Sequence, residues 1–186
     1  MSFLPRKFYE RDTVIVAKEL LGKKLVRKMG KHTLSGIITE TEAYRHTDDP
    51  ASHAYRKKTE RNKAMFEEVG LAYVYFTYGM YFCFNVVARK PQVEAGAVLI
   101  RAISPLEGLS VMKKNRQKDT EKNLTDGPAK LTQALDISKK HYGLDLTKDP
   151  VLYITEGIEK KIRIEVNPRI GIRTAIDKMW NFKINL

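Results

Sequence analysis

The amino-acid sequence predicts an α+β fold held in a single compact domain spanning residues 1–186. Three observations lead there. Short strand-like segments of irregular spacing are mixed with a few helical ones. The length suits one sizeable core, and neither an internal repeat nor a linker divides it. The proportions, 42% hydrophobic and 30% charged, are those of a globular protein and not of a disordered tail.

Taken in order, the elements are these. Asp12 stands as an N-cap ahead of the apolar spacing Val14, Ala17, Leu20 and Leu21, and Gly22 closes that helix. Residues 24–28 and 33–42 read as strands around a turn containing Met29-Gly30-Lys31. A polar stretch covers 45–59, and a short helical piece follows at 62–66. Gly70 precedes two aromatic strands within residues 73–84, pinched around Thr77-Tyr78-Gly79-Met80 into a protruding β-hairpin. Residues 97–103 have the continuous apolar pattern of a buried strand, interrupted only by Arg101. After Pro105, residues 106–114 are expected to be helical and the polar run 113–123 to be a mobile surface loop. Asp126-Gly127-Pro128 opens a helix through Leu131, Ala134 and Leu135, with Pro128 in its first turn. Short strands are expected at 151–155, 162–166 and 182–184, with Gly157 and Gly171 as turn residues.

The charge narrows the partners. There are 34 Lys and Arg against 22 Asp and Glu, a net +12 that favours a polyanion. Nucleic acid fits better than an acidic membrane surface, because no apolar run spans a bilayer and no amphipathic segment confines its cations to one face. The first residues, Met1-Ser2-Phe3-Leu4-Pro5-Arg6-Lys7, lack the apolar stretch of a signal peptide. The single cysteine, Cys83, excludes an intramolecular disulfide and reads as a small core residue. Both features point to a reducing, cytoplasmic setting, nucleoid-associated if the source is bacterial.

The aromatic hairpin suggests how nucleic acid would be engaged. Strand alternation buries only one face, and Tyr78 and Met80 fall at the turn, where an exposed tip suits insertion between stacked bases. The bland alternative is that these aromatics are core. The densest polar cluster runs from Glu40 through Glu42, Tyr44, Asp48 and Asp49 to His53. Glu40, Glu42 and Tyr44 share a strand face, which sets a carboxylate beside an aromatic platform. Hydrolysis of a base–sugar bond needs that pair: the platform holds the base, while the carboxylate aligns a water and stabilises the growing positive charge on the sugar. Competing readings are a solvated edge strand, a metal site built from the Asp, Glu and His residues, and a surface histidine at His53. Arg101 requires a partner inside its apolar run, and Glu42 is the expected one. No phosphate-binding loop, dinucleotide fingerprint or CxxC pair is present.

Glu40-Thr41-Glu42-Ala43-Tyr44, His53, the run from Tyr73 through Gly79 to Asn85, Leu99-Ile100-Arg101-Ala102 and Asp126-Gly127-Pro128-Ala129-Lys130-Leu131 resemble the alkyladenine (3-methyladenine) DNA glycosylase family. The match runs in order from about Leu20 to the last strand, and the hairpin motif is the most specific part. The resemblance implies a curved antiparallel sheet with flanking helices, no metal or cofactor, and a monomer acting on double-stranded DNA that contains damaged purines. It implies Glu42 as the base that activates water, with Arg101 beside it. Tyr44 and Tyr75 would sandwich the flipped base; His53 would close the pocket, its backbone amide on the purine edge, with the Ala51 carbonyl on the same edge. Asn85 would crowd the purine 2-position against guanine. Tyr78 would fill the vacated space in the duplex, with Met80 and Tyr81 along the minor groove, and Thr59, Arg61 and Lys130 near the DNA backbone. Family members commonly continue past the last strand with an Arg-Gly-Asn or Arg-Gly-Ser segment, absent here, and a backbone carbonyl near Ile184 would hold the attacking water. The expected activity is monofunctional release of alkylated or deaminated purines. Its rivals are a non-catalytic nucleic-acid-binding module that uses the aromatics as stacking platforms and a metal-dependent nuclease.

Overall fold

The computed structural model describes residues 2–158 and 163–186. Two helices, α1 (Arg6–Tyr9) and α2 (Thr13–Leu20), lead into a sheet. Asp12 caps α2 by accepting a hydrogen bond from the Val14 amide at 3.0 Å, so one orphan donor of the first turn is satisfied. Val16, Ala17 and Leu20 bury its inner face. Gly22, at φ 83°, then turns the chain into β1 (Lys24–Met29), which pairs antiparallel with β2 (His32–Tyr44).

The other strands are β3 (Ala72–Thr77), β4 (Tyr81–Val87), β5 (Ala97–Glu107), β6 (Leu152–Thr155), β7 (Glu165–Asn167) and β8 (Asn181–Lys183). All pairings are antiparallel, in the order β3-β4-β5-β2-β1-β6. One edge of β2 faces β5; the other is shared by β1, against residues 32–37, and β8, against residues 40–42. β2 is therefore paired on both edges at Glu40 and Glu42, which are not on a solvated edge strand.

Bulges bend this central pair. Ile38 faces Ile103 and Glu40 faces Ala102, leaving Thr39 as an extra residue in β2; Thr41 faces Ile100, leaving Arg101 as an extra residue in β5. A bulge increases local twist and re-aims the extra side chain. At the other end, Gly36 lies so close to β5 that a Cβ there would sit 2.7 Å from the Ser104 carbonyl oxygen. The sheet curls around a core that includes Leu20, Leu25, Ile38, Tyr73, Phe84, Ile100 and Phe182. Helices α3 (Leu109–Arg116) and α4 (Pro128–Ala134) pack beside it. No helix among the described residues is long and apolar enough to cross a membrane.

Several expected boundaries move. Leu106 and Glu107 end β5 and do not begin a helix, because β5 keeps pairing with β2 as far as Ser35–Glu107; Pro105, which lacks an N–H, sits beside a register shift. Gly108, at φ 78°, makes the turn and α3 starts at Leu109. The run 113–123 is not loop throughout: Lys113, Lys114 and Arg116 form the last turn of α3. The helical piece near residue 62 is a 3-10 turn at Lys63–Phe66. The strand expected at 162–166 is β7, from Glu165; residue 162 lies outside the described residues.

Candidate active site

The curled sheet, the segment between β2 and β3 and the segment between β7 and β8 enclose a cavity of about 380 Å³. That is within the range of small-molecule sites. Its lining includes Tyr44 from β2, Tyr73 and Tyr75 from β3, Cys83 and Asn85 from β4, Leu99 and Arg101 from β5, and Ala51, His53 and Arg61 from the segment after β2. Tyr78, at the hairpin turn, also borders it.

Glu42 lies behind this lining with no exposed side-chain surface. Its Oε1 accepts from the Ile170 amide at 2.7 Å and Asn181 Nδ2 at 3.1 Å. Its Oε2 accepts from the Tyr44 hydroxyl at 2.8 Å and lies 3.5 Å from Arg101 Nη1. A carboxylate accepts only, and these donors compensate the cost of burying it. Burial works against the Arg101 cation, but Glu42 and then Glu40 outweigh that and raise its pKa above the ordinary value. The closest partner of Arg101 is Glu40, whose Oε1 accepts from Arg101 Nε at 2.8 Å; the expected Glu42 partner is the longer contact. Asn181 Nδ2 also donates to Glu40 Oε1, at 2.7 Å, so one amide ties the two carboxylates together.

Burial, followed by the neighbouring Glu42 carboxylate, pushes the Tyr44 hydroxyl well above its usual pKa and keeps it a donor. The Tyr44 ring packs against the Arg169 guanidinium, 4.7 Å from its centroid. Arg169 is completely buried and forks onto Asp49 with two 2.6 Å bonds, and it donates to the Ala43 carbonyl at 3.0 Å. Asp49 in turn accepts from the Arg45 amide at 3.0 Å, which fixes the segment leaving β2.

Across the cavity, the His53 ring meets Tyr75 edge-on at 4.7 Å, and its Nδ1 is 2.9 Å from the Tyr73 hydroxyl. Although the residue as a whole is exposed, burial of the ring and then the Arg61 cation lower its pKa from 6.5 to about 4. Asn62 Nδ2 holds the His53 carbonyl at 2.7 Å. Arg61 donates to the Phe76 carbonyl at 3.1 Å and lies 5.3 Å over the Tyr75 ring. Asn85 is buried and donates to the Tyr73 carbonyl at 3.0 Å.

The hairpin divides its aromatics by distance from the core. Tyr73 and Phe84 are buried at its base, whereas Tyr78 is 85% exposed at the turn and Met80 65%. Tyr78 and Gly79 both have positive φ, 51° and 68°, so the tip is tight. Met80 and Tyr81 face a separate groove bordered by α4, away from the cavity. Thr59 shares a turn with Asn62, and Lys130 pairs with Asp126 at 3.0 Å; neither reaches the cavity. Ile184 is buried with its amide on the Thr39 carbonyl, and the backbone amide bonded to Glu42 is that of Ile170. Arg169, Ile170 and Asn181 escaped the sequence reading because they are remote in the chain. Gly171, two residues after Arg169, offered only a weak sign of a shaped turn.

The family model for methylpurine-DNA glycosylase (MPG) matches residues 7–186. A relative from Carboxydothermus hydrogenoformans is 52% identical over 96% of this chain and 93% of its own. Relatives from Prosthecochloris aestuarii and Clostridium acetobutylicum are 48% and 45% identical, each over 97% of this chain and over 86% and 93% of their own lengths. All three carry the name "Putative 3-methyladenine DNA glycosylase". A match that takes in β1 to β8, and with them every side chain around Glu42, leaves one conclusion: the chain belongs to the methylpurine-DNA glycosylase family.

Proposed function

We propose that this DNA glycosylase removes alkylated or deaminated purines, of the 3-methyladenine and hypoxanthine type, from double-stranded DNA. Glu42 acts as the base and water as the nucleophile. One observation carries the reading: a fully buried carboxylate, bonded to the hydroxyl of a cavity-lining tyrosine and beside Arg101, directly behind an aromatic cavity.

The damaged nucleotide leaves the stack, because its sugar–base bond is inaccessible within it, and damage lowers that cost. Tyr78 fills the vacated space at the exposed hairpin tip, Met80 and Tyr81 follow the minor groove, and Thr59, Arg61 and Lys130 meet the DNA backbone. Tyr44 and Tyr75 hold the base, His53 and Ala51 read its edge, and Asn85 crowds the exocyclic amine that guanine carries and hypoxanthine lacks. Water attacks the sugar C1′ from the face opposite the base. The new C1′–O bond forms as the C1′–N bond breaks, its electron pair leaves with the base, and Glu42 takes the proton of the water; a cationic alkylated base leaves neutral, whereas hypoxanthine leaves as its anion and takes a proton from solvent. The buried carboxylate also stabilises the oxocarbenium-like sugar. Free base and an abasic strand result, with no strand cleavage.

The test is a duplex holding one hypoxanthine, incubated with the protein in a metal chelator and assayed for free base and for strand breaks. Free base without breaks is expected. Binding without release would make the protein a binding module, and breaks abolished by chelator would make it a nuclease.

A further inference from the structure

The segment between β7 and β8 carries a basic side chain that neither the fold nor the buried network uses. Arg173 borders the cavity together with Ile170, Gly171, Ile172 and Thr174. It is exposed, and it makes no hydrogen bond, ion pair or ring contact among the described residues. The other cavity arginines are engaged: Arg101 with Glu40 and Glu42, Arg61 with the Phe76 carbonyl and the Tyr75 ring.

The backbone under Arg173 is anchored. Arg169 is locked onto Asp49 and the Ala43 carbonyl, and the next amide, that of Ile170, is bonded to Glu42. Gly171 then turns at φ 77°. A guanidinium with no partner among the described residues thus stands at the cavity rim, a few residues from a fixed point on the carboxylate. A nucleotide whose base enters this cavity brings its flanking phosphodiesters to that rim. A guanidinium fork matches phosphate oxygens in charge and geometry.

We propose that Arg173 is a phosphate-binding residue that grips a phosphodiester flanking the extruded nucleotide, holding the sugar over Glu42. This rests on the base-excision reading above, and its test is chosen to stand without base release. Affinity is measured for a duplex containing one tetrahydrofuran abasic analogue, across a salt series, with wild type, Arg173→Ala and Arg173→Lys. Single methylphosphonate linkages then replace the phosphates on either side of the analogue in turn. Arg173→Ala is expected to weaken binding about tenfold, the size of one charge-assisted hydrogen-bonded contact. It should also lower the slope of log K against log salt by about 1. Arg173→Lys should keep the slope and recover part of the affinity. One methylphosphonate position should weaken wild type by a similar factor and leave Arg173→Ala unchanged. Equal affinity and slope in wild type and Arg173→Ala would overturn the assignment. So would alanine and methylphosphonate penalties that add at both positions, since the lost contact would then lie elsewhere. A protein that binds as expected but releases no base would sink the excision reading and leave this contact standing.

Discussion

Glu42 combines full burial with a charge, a combination that is costly unless every oxygen is held. The donors on it come from the adjacent Tyr44, the opposing strand at Arg101 and the distant Ile170 and Asn181. Glu42→Gln keeps the shape but cannot take a proton from water, so base release in single turnover should fall by at least about 10²–10⁴-fold while lesion binding holds. Near-normal turnover would remove Glu42 from its role. Glu40→Gln is no inert comparison, because Glu40 anchors Arg101; it should slow release by a smaller factor. His53 gives the pH prediction. Its pKa falls from 6.5 to about 4 in the folded chain, so above pH 6.5 both folded and unfolded forms are neutral there. Between 6.5 and 4 only the unfolded chain binds the proton, and stability declines as pH falls through that window. Urea unfolding at pH 7 and pH 5 should show a larger difference for wild type than for His53→Gln; equal differences would contradict the depressed pKa.

At the scale of elements, the hairpin and the β7–β8 segment carry separable properties. The β3–β4 pair is anchored by its buried base, so the exposed tip can change without disturbing the core. Tyr78→Ser should therefore leave thermal stability nearly unchanged but reduce the fluorescence of a reporter base placed beside the lesion, which reads the extrahelical nucleotide. An unchanged signal would remove the wedge role. The Arg169–Asp49 pair is the opposite case, with both partners fully buried. Arg169→Met leaves the Asp49 carboxylate buried and unpaired, and urea unfolding should show a loss of about 3–5 kcal/mol. The double variant Arg169→Met/Asp49→Leu should recover most of it, since an apolar pair of similar volume avoids the unpaired charge. No recovery would show that the pair matters through its bonds to Ala43 and Arg45, not through charge compensation.

Across the whole molecule, the net charge of +12 is the property that reaches DNA first. Affinity for duplex should drop steeply with salt, with a log–log slope of about −0.9 per phosphate neutralised. Tyr78→Ser should leave that slope intact, because the tip acts on the base stack and not on phosphate. A slope near zero in the wild type would mean that the charge excess does not contact DNA. The curl of the sheet makes the rest possible: it brings a strand face, a hairpin and two connecting segments around one cavity.

The sequence by itself determined what depends on near neighbours. Asp12 capping α2, the apolar run of β5, the alternation that sets Glu42 and Tyr44 on one face and the exposed hairpin turn are set within a few residues, where capping, periodicity and turn chemistry operate. Its resemblance to a known family also named in advance the residues from Tyr44 to Arg101 that gather at the cavity. Tertiary structure alone decided which carboxylate Arg101 grips. The bulge that makes Arg101 an extra residue depends on the register of two strands some sixty positions apart, and it aims Nε at Glu40. It alone decided that Leu106 belongs to a strand, since pairing with β2 outweighs the local signal after Pro105. Arg169, Ile170 and Asn181 reach Asp49 and Glu42 from more than a hundred residues away. Burial of a charge is settled by which donors the fold brings to it, and no local pattern records them.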